Sequence, residues 1–117
     1  MKLLLVGCSH HTAPVAIRER LAFTPQQAAA ALTTWRTAFP ETEAVLLSTC
    51  NRIELYAAAE QNDAFPTHDQ VVEFLADCRG VKPFEVFNSL FEESGEAAIK
   101  HLFTVAASLD SMVLGEP

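Results

Sequence analysis

Ala44-Val45-Leu46-Leu47-Ser48-Thr49-Cys50-Asn51-Arg52-Ile53-Glu54-Leu55-Tyr56-Ala57 contains two apolar runs on either side of a polar break at Ser48 to Arg52. Ala44 to Leu47 is continuously apolar, the pattern of a strand covered on both faces. Ile53, Leu55 and Ala57 alternate with Arg52, Glu54 and Tyr56, the pattern of a strand with one buried face. The break is too short for anything but a tight reversal, so the stretch is expected to be a strand-turn-strand unit with Cys50 at or beside its bend.

Upstream, Thr24-Pro25-Gln26-Gln27 has a capping hydroxyl followed by a proline at a first helical position, where its missing N–H costs nothing. Ala28, Leu32, Trp35 and Phe39 follow at helical spacing, and Pro40 ends the helix. Thr12-Ala13-Pro14 opens a shorter helix over Val15 to Leu21, and Lys2 to Ser9 reads as a buried first strand. Downstream, the polar stretch from Glu60 to His68 is a loop. Asp69 to Arg79 is a helix with Val71, Val72, Leu75 and Cys78 on one stripe, closed by Gly80.

Phe84 to Phe91 has the aromatic and β-branched content of a fourth strand. Ser94 to Ser108 is a helix expected to bury Ile99, Leu102, Phe103 and Ala106, which leaves His101 almost opposite that stripe, facing solvent or a site. The order βα, ββ, αβ and a last helix predicts an α+β fold. Its expected form is a ferredoxin-like antiparallel sheet, a split βαβ, with backing helices and an additional C-terminal helix.

The chain has 117 residues, half of them apolar, enough for one core. Its longest early apolar run, Leu3 to Val6, is far shorter than the ~20 residues that cross a membrane. Three cysteines without framework spacing argue against a disulfide scaffold and for a reducing, cytoplasmic setting. Eight basic against fifteen acidic side chains give a formal charge of −7, the wrong sign for a protein that tracks phosphates broadly.

Cys50 is the sharpest chemical feature. A thiol at a strand end, two residues from the Arg52 cation, has the setting of a nucleophile, although free cysteines are also commonly buried and inert. Arg52 could clamp a carboxylate or pair with Glu54 or Glu43. Asn51 could serve the site or accommodate a left-handed turn. Cys8, His10 and His11 are metal-ligand types without the second half that a zinc site needs, so no metal is expected, and Cys8 and Cys78 are expected to pack in the interior. Imidazole near a thiolate could act as acid or base, which makes His101 a second candidate.

Gly7-Cys8-Ser9-His10-His11-Thr12-Ala13-Pro14, Ile17-Arg18-Glu19-Arg20-Leu21, Leu47 to Tyr56, and Leu109-Asp110-Ser111-Met112-Val113-Leu114-Gly115-Glu116 resemble, in order, four signatures of glutamyl-tRNA reductase. The resemblance covers nearly the whole chain except about residues 57 to 94. It implies an oxidoreductase of tetrapyrrole (porphyrin) biosynthesis in which Cys50 attacks the ester of glutamyl-tRNA. The resulting thioester is reduced by hydride from NADPH to glutamate-1-semialdehyde. It further implies that Thr49, Asn51, Arg52, Ser111, Glu116 and Pro117 line the glutamate site and that His101 assists.

By the same resemblance, residues 1–117 are an N-terminal catalytic, glutamate-recognition domain. The NADPH-binding and dimerisation domains are expected to lie beyond it, since Gly-x-Gly-x-x-Gly does not occur among the four glycines. The implied partners are glutamyl-tRNA as substrate, a second subunit in a homodimer, and a downstream aminomutase that takes the product; no membrane is implied. Two other readings fit the pattern. One is a non-catalytic ferredoxin-like module that binds a ligand or partner. The other is a thiol hydrolase, which needs His101 or His10 within hydrogen-bond reach of Cys50.

Overall fold

The computed structural model describes residues 1–60 and 64–113, with side chains in the last helix as far as residue 107. Glu116 and Pro117 lie outside the described residues, and Ser111 is described only as a helical position. The elements are β1 (Lys2–Ser9), α1 (Val15–Leu21), α2 (Pro25–Ala38), β2 (Glu43–Ser48), β3 (Arg52–Ala59), α3 (His68–Cys78), α4 (Pro83–Val86), β4 (Phe91–Ser94) and α5 (Gly95–Val113). The strands form one sheet in the order β2-β3-β1-β4, with every neighbouring pair antiparallel. This is an α+β architecture.

The helix starts follow local chemistry. Thr24 and Gln27 form a reciprocal capping box on α2, and Thr67 and Gln70 do the same on α3. Gly80, just past the end of α3, has φ +67°, which a side chain would resist.

One face of the sheet holds the main core. Leu4, Val6 and Cys8 of β1 and Ile53, Leu55 and Ala57 of β3 meet Leu21, Trp35, Val71, Val72 and Leu75 from the helices. Each such aliphatic side chain contributes about 1.5–3 kcal/mol when fully buried. The buried Trp35 indole N–H donates to the Thr42 carbonyl at 2.9 Å, so no orphan donor is left inside. On the opposite face Leu5, Tyr56 and Ala98 form a smaller cluster under α5, with Leu3 and Phe91 against it.

Four expectations are corrected. The coverage of the two hairpin strands is inverted: β2 is an edge strand with Val45 63% exposed, whereas central β3 is buried on both faces, Glu54 included. Position in the sheet, not composition, decides coverage. The segment 84–91 is α4 followed by a single 3₁₀ turn over Phe87–Ser89, and β4 starts only at Phe91. There Pro83 occupies the first helical turn and the Lys82 N–H donates to Glu85 Oε2 at 3.2 Å, which starts a helix despite the aromatic content.

The third correction is the face of α5. Ala98 and Val105 are buried, while Ile99, Leu102 and Phe103 are exposed, so His101 points toward the sheet side. The helix also runs on through Val113, placing Leu109 to Val113 within it. Fourth, Asn51 is not left-handed, since among the described residues only Gly80 and Gly95 have positive φ.

Gly7 pairs with Glu54 across β1 and β3, and a Cβ there would lie 2.6 Å from the Ile53 carbonyl oxygen and 2.9 Å from Glu54 Cγ. Neither backbone can give way without breaking the ladder. Gly7→Ala is therefore expected to destabilise the chain by about 1–3 kcal/mol through overpacking. Urea unfolding measures it, and an unchanged midpoint would show that the two strands are not packed this closely.

Candidate active site

The hairpin bend is held from three directions. Within it, the Thr49 N–H donates to the Arg52 carbonyl at 2.8 Å, and the Asn51 N–H donates to Thr49 Oγ1 at 3.2 Å. From the end of β1, the His10 N–H donates to the Asn51 carbonyl at 2.9 Å. From the segment after α1, the Phe23 N–H donates to Ser48 Oγ at 2.9 Å. From α1 itself, Arg18 donates through Nε to the Ala13 carbonyl at 3.2 Å and through a terminal nitrogen to the Cys50 carbonyl at 2.9 Å.

Cys50 is thus exposed on a bend whose backbone is fixed. The guanidinium bonded to this bend is that of Arg18, whose part was not legible in the sequence. Only its position within Ile17 to Leu21 marked it. Arg18 can bridge two carbonyls because its planar fork carries several donors, which a lysine would not replace.

Arg52 points elsewhere, to the opposite face of the sheet, where one terminal nitrogen lies 3.4 Å from Glu54 Oε2. The same oxygen is 2.5 Å from His101 Nε2, and Glu54 Oε1 accepts from the Tyr56 hydroxyl at 2.9 Å. Glu54 is completely buried, whereas the Arg52 and His101 side chains keep 17% and 28% exposure. They sit between the buried carboxylate and solvent. Burial, reinforced by the hydrogen bond to Glu54, raises the Tyr56 phenol above its ordinary value, so it remains a donor throughout the neutral range.

The structure brings Thr49, Cys50 and Asn51 together in the bend and joins Arg52 to His101 through Glu54. It does not join Cys50 to a histidine: among the described residues the Cys50 thiol makes no hydrogen bond, and His10 reaches the bend through its backbone. The geometry that the thiol-hydrolase reading needs is therefore not present here. Cys8 is buried in the core while His10 and His11 are exposed, their rings 3.9 Å apart. No group of three or more metal-binding side chains occurs among the described residues. Glu54, which the sequence marked only as a partner of a solvated Arg52, is the buried carboxylate that joins Arg52 and His101. Its alternation with Ile53 and Leu55 gave no sign that its face would be covered.

Residues 6–117 match the family described as "Glutamyl-tRNAGlu reductase, N-terminal domain". The chain belongs to the glutamyl-tRNA reductase family. It is 46% identical over 116 residues to the glutamyl-tRNA reductase of Rhodopirellula baltica, covering 99% of this chain and 27% of that protein. It is 48% identical over 118 residues to that of Geobacter sulfurreducens, covering 26% of the relative. Among solved structures, glutamyl-tRNA reductase from Methanopyrus kandleri superposes with a TM-score of 0.63 at 30% identity, over 97% of this chain and 24% of that one. The chain thus spans about a quarter of the length of these glutamyl-tRNA reductases. Among the described residues, no helix is long and apolar enough to cross a membrane.

The three cysteines should differ sharply in reactivity. Burial raises the thiols of Cys8 and Cys78 above their ordinary value, lowering their thiolate fraction at any pH below it, and Cys8 is also inaccessible. Iodoacetamide at about pH 7.5, below the ordinary thiol value of about 8.5, is expected to label Cys50 first. Cys78 should follow only as pH rises, and Cys8 only on unfolding. Peptide mass spectrometry checks the order, and equal labelling of Cys8 and Cys50 would contradict the placement.

Proposed function

We infer that this chain is the catalytic, glutamate-recognition domain of an NADPH-dependent glutamyl-tRNA reductase acting in tetrapyrrole biosynthesis in the cytoplasm. The observation that carries this reading is the exposed Cys50 on a bend fixed by His10, Phe23 and Arg18, in a chain of this family. The Cys50 thiolate attacks the ester carbonyl of glutamyl-tRNA, the tRNA leaves through its ribose oxygen, and the glutamyl group remains as a thioester. Sulfur is a better leaving group than an alkoxide and leaves the carbonyl open to hydride.

Arg52 pairs with the substrate's side-chain carboxylate, using donors not engaged by Glu54. Thr49 and Asn51 flank the acyl group, with Ser111, Glu116 and Pro117 completing the glutamate site and His101 assisting proton movement. The strand order β2-β3-β1-β4, with β1 and β2 running parallel on either side of β3, supports a ferredoxin-like reading of the fold.

The residues of this chain do not suit a dinucleotide. Among the described residues every neighbouring pair of strands is antiparallel, and the four glycines of the sequence contain no Gly-x-Gly-x-x-Gly, the fingerprint that seats a pyrophosphate in a parallel βαβ unit. NADPH, which supplies the hydride, is assigned to a further domain, as is homodimerisation. The semialdehyde is then passed to an aminomutase.

The test uses the natural polypeptide that contains this chain, incubated with glutamyl-tRNA in the absence of NADPH, quenched in acid and mapped by mass spectrometry. A glutamyl adduct on Cys50, or deacylation of the tRNA that disappears in Cys50→Ser, is the expected result. Unchanged acyl transfer in Cys50→Ser would overturn the reading. A binding-only module gives no reason for acyl transfer at all.

A further inference from the structure

The contacts of Glu54 exceed what its place in the sheet requires. A carboxylate with no solvent exposure is costly to bury unless its lone pairs are met. An apolar residue opposite Gly7 would pack under α5 as Leu5 and Ala98 do next to it. Instead Gly7 lacks a side chain where Glu54 needs room, Tyr56 spends its hydroxyl on Oε1, and the residues at Oε2 are Arg52 and His101. Those two come from different elements, β3 and α5, and both keep part of their surface in solvent.

The chemistry of the shared oxygen constrains both neighbours. Glu54 Oε2 and His101 Nε2 lie at hydrogen-bond distance, an arrangement in which an ionised carboxylate can only accept and Nε2 must donate, and no hydrogen bond to Nδ1 occurs among the described residues. Arg52 uses one terminal nitrogen on Glu54 and keeps the rest of its fork. The Phe91 and His101 ring centroids lie 5.4 Å apart, so the imidazole also has an aromatic neighbour. The Tyr56 hydroxyl fixes the rotation of the carboxylate itself, 2.9 Å from Oε1.

We propose that Glu54, oriented by Tyr56, is a positioning residue that locks the Arg52 guanidinium and the His101 imidazole into one fixed relation, so that carboxylate recognition and proton handling are set before substrate binds. This rests on the reading of Cys50, Arg52 and His101 given above. Neither Glu54 nor Tyr56 reacts. Their effect is transmitted through the two groups that they hold, as outer partners hold the working groups of other sites.

The natural polypeptide containing this chain is tested as wild type, Glu54→Gln and Tyr56→Phe, with two readouts. The first is proton NMR of the His101 Nε2–H, assigned by its loss in His101→Asn. Wild type is expected to show a downfield, exchange-protected resonance that moves in both variants, and its absence from wild type overturns the proposal whether or not Cys50 acylates. The second is single-turnover acylation by glutamyl-tRNA, with rate constant and amplitude separated. A positioning role lowers the rate constant, by about tenfold or more in Glu54→Gln and less in Tyr56→Phe, with half-saturation by substrate rising through Arg52.

A structural role alone lowers the amplitude at an unchanged rate constant, and that result overturns the proposal. Tyr56→Phe keeps the test decisive if Glu54→Gln does not fold. If wild type shows the resonance but does not acylate Cys50, the functional reading itself fails, which separates the two failures.

Discussion

A carboxylate inside the sheet governs this molecule. Glu54 lies on central β3, has no solvent exposure, and must be met by donors from whatever covers it. That requirement accounts for features that otherwise look unrelated: the glycine at position 7 of β1, the hydroxyl of Tyr56 turned along its own strand, and a histidine on the inner side of α5. On that helix, among the described residues, the buried side chains are Ala98 and Val105. A purely apolar helix face over Glu54 would leave Oε2 with only the 3.4 Å contact to Arg52, a loss that the burial of Ile99 or Leu102 would have to offset.

The two faces of the sheet divide the work. On the helix side a dense aliphatic and aromatic core fixes β1 and β3, with Trp35, Leu55 and Val72 at its centre. The bend between β2 and β3 emerges from this scaffold and is tied to it by main-chain hydrogen bonds, the Ser48 hydroxyl and Arg18. The thiol of Cys50 can therefore stay exposed without the bend being loose. The other face carries Arg52, Glu54, Tyr56 and His101, so these linked polar groups are gathered where the core is thinnest. The positive charges of Arg18 and Arg52 offset locally a chain whose net charge is −7.

Much of this was readable from local signals. Thr24-Pro25-Gln27 marked the start of α2 and Gly80 the end of α3 because caps depend on a few adjacent atoms. The bend at Cys50 was readable because polar residues between two apolar runs leave few alternatives. What failed depended on position in the sheet. Ala44 to Leu47 is as apolar as a strand covered on both faces yet lies at the edge, while Arg52 to Ala57 alternates as a strand with one buried face does yet is covered on both sides. The stripe on α5 was assigned to Ile99, Leu102 and Phe103 by hydrophobicity alone. It moved to Ala98, His101 and Val105 because the surface beneath carries a charge that periodicity does not show. Arg18 was unreadable for a similar reason, since its partner Cys50 is 32 residues away.

The most direct test of this account is a double-mutant cycle in unfolding free energy, built from Glu54→Gln, His101→Asn and the double variant of this chain. If α5 is docked on the sheet through this pair, the two substitutions are expected to be non-additive by about 1–3 kcal/mol, the double variant losing less than the sum. Additivity within about 0.5 kcal/mol would contradict the account and leave α5 held by its apolar contacts alone.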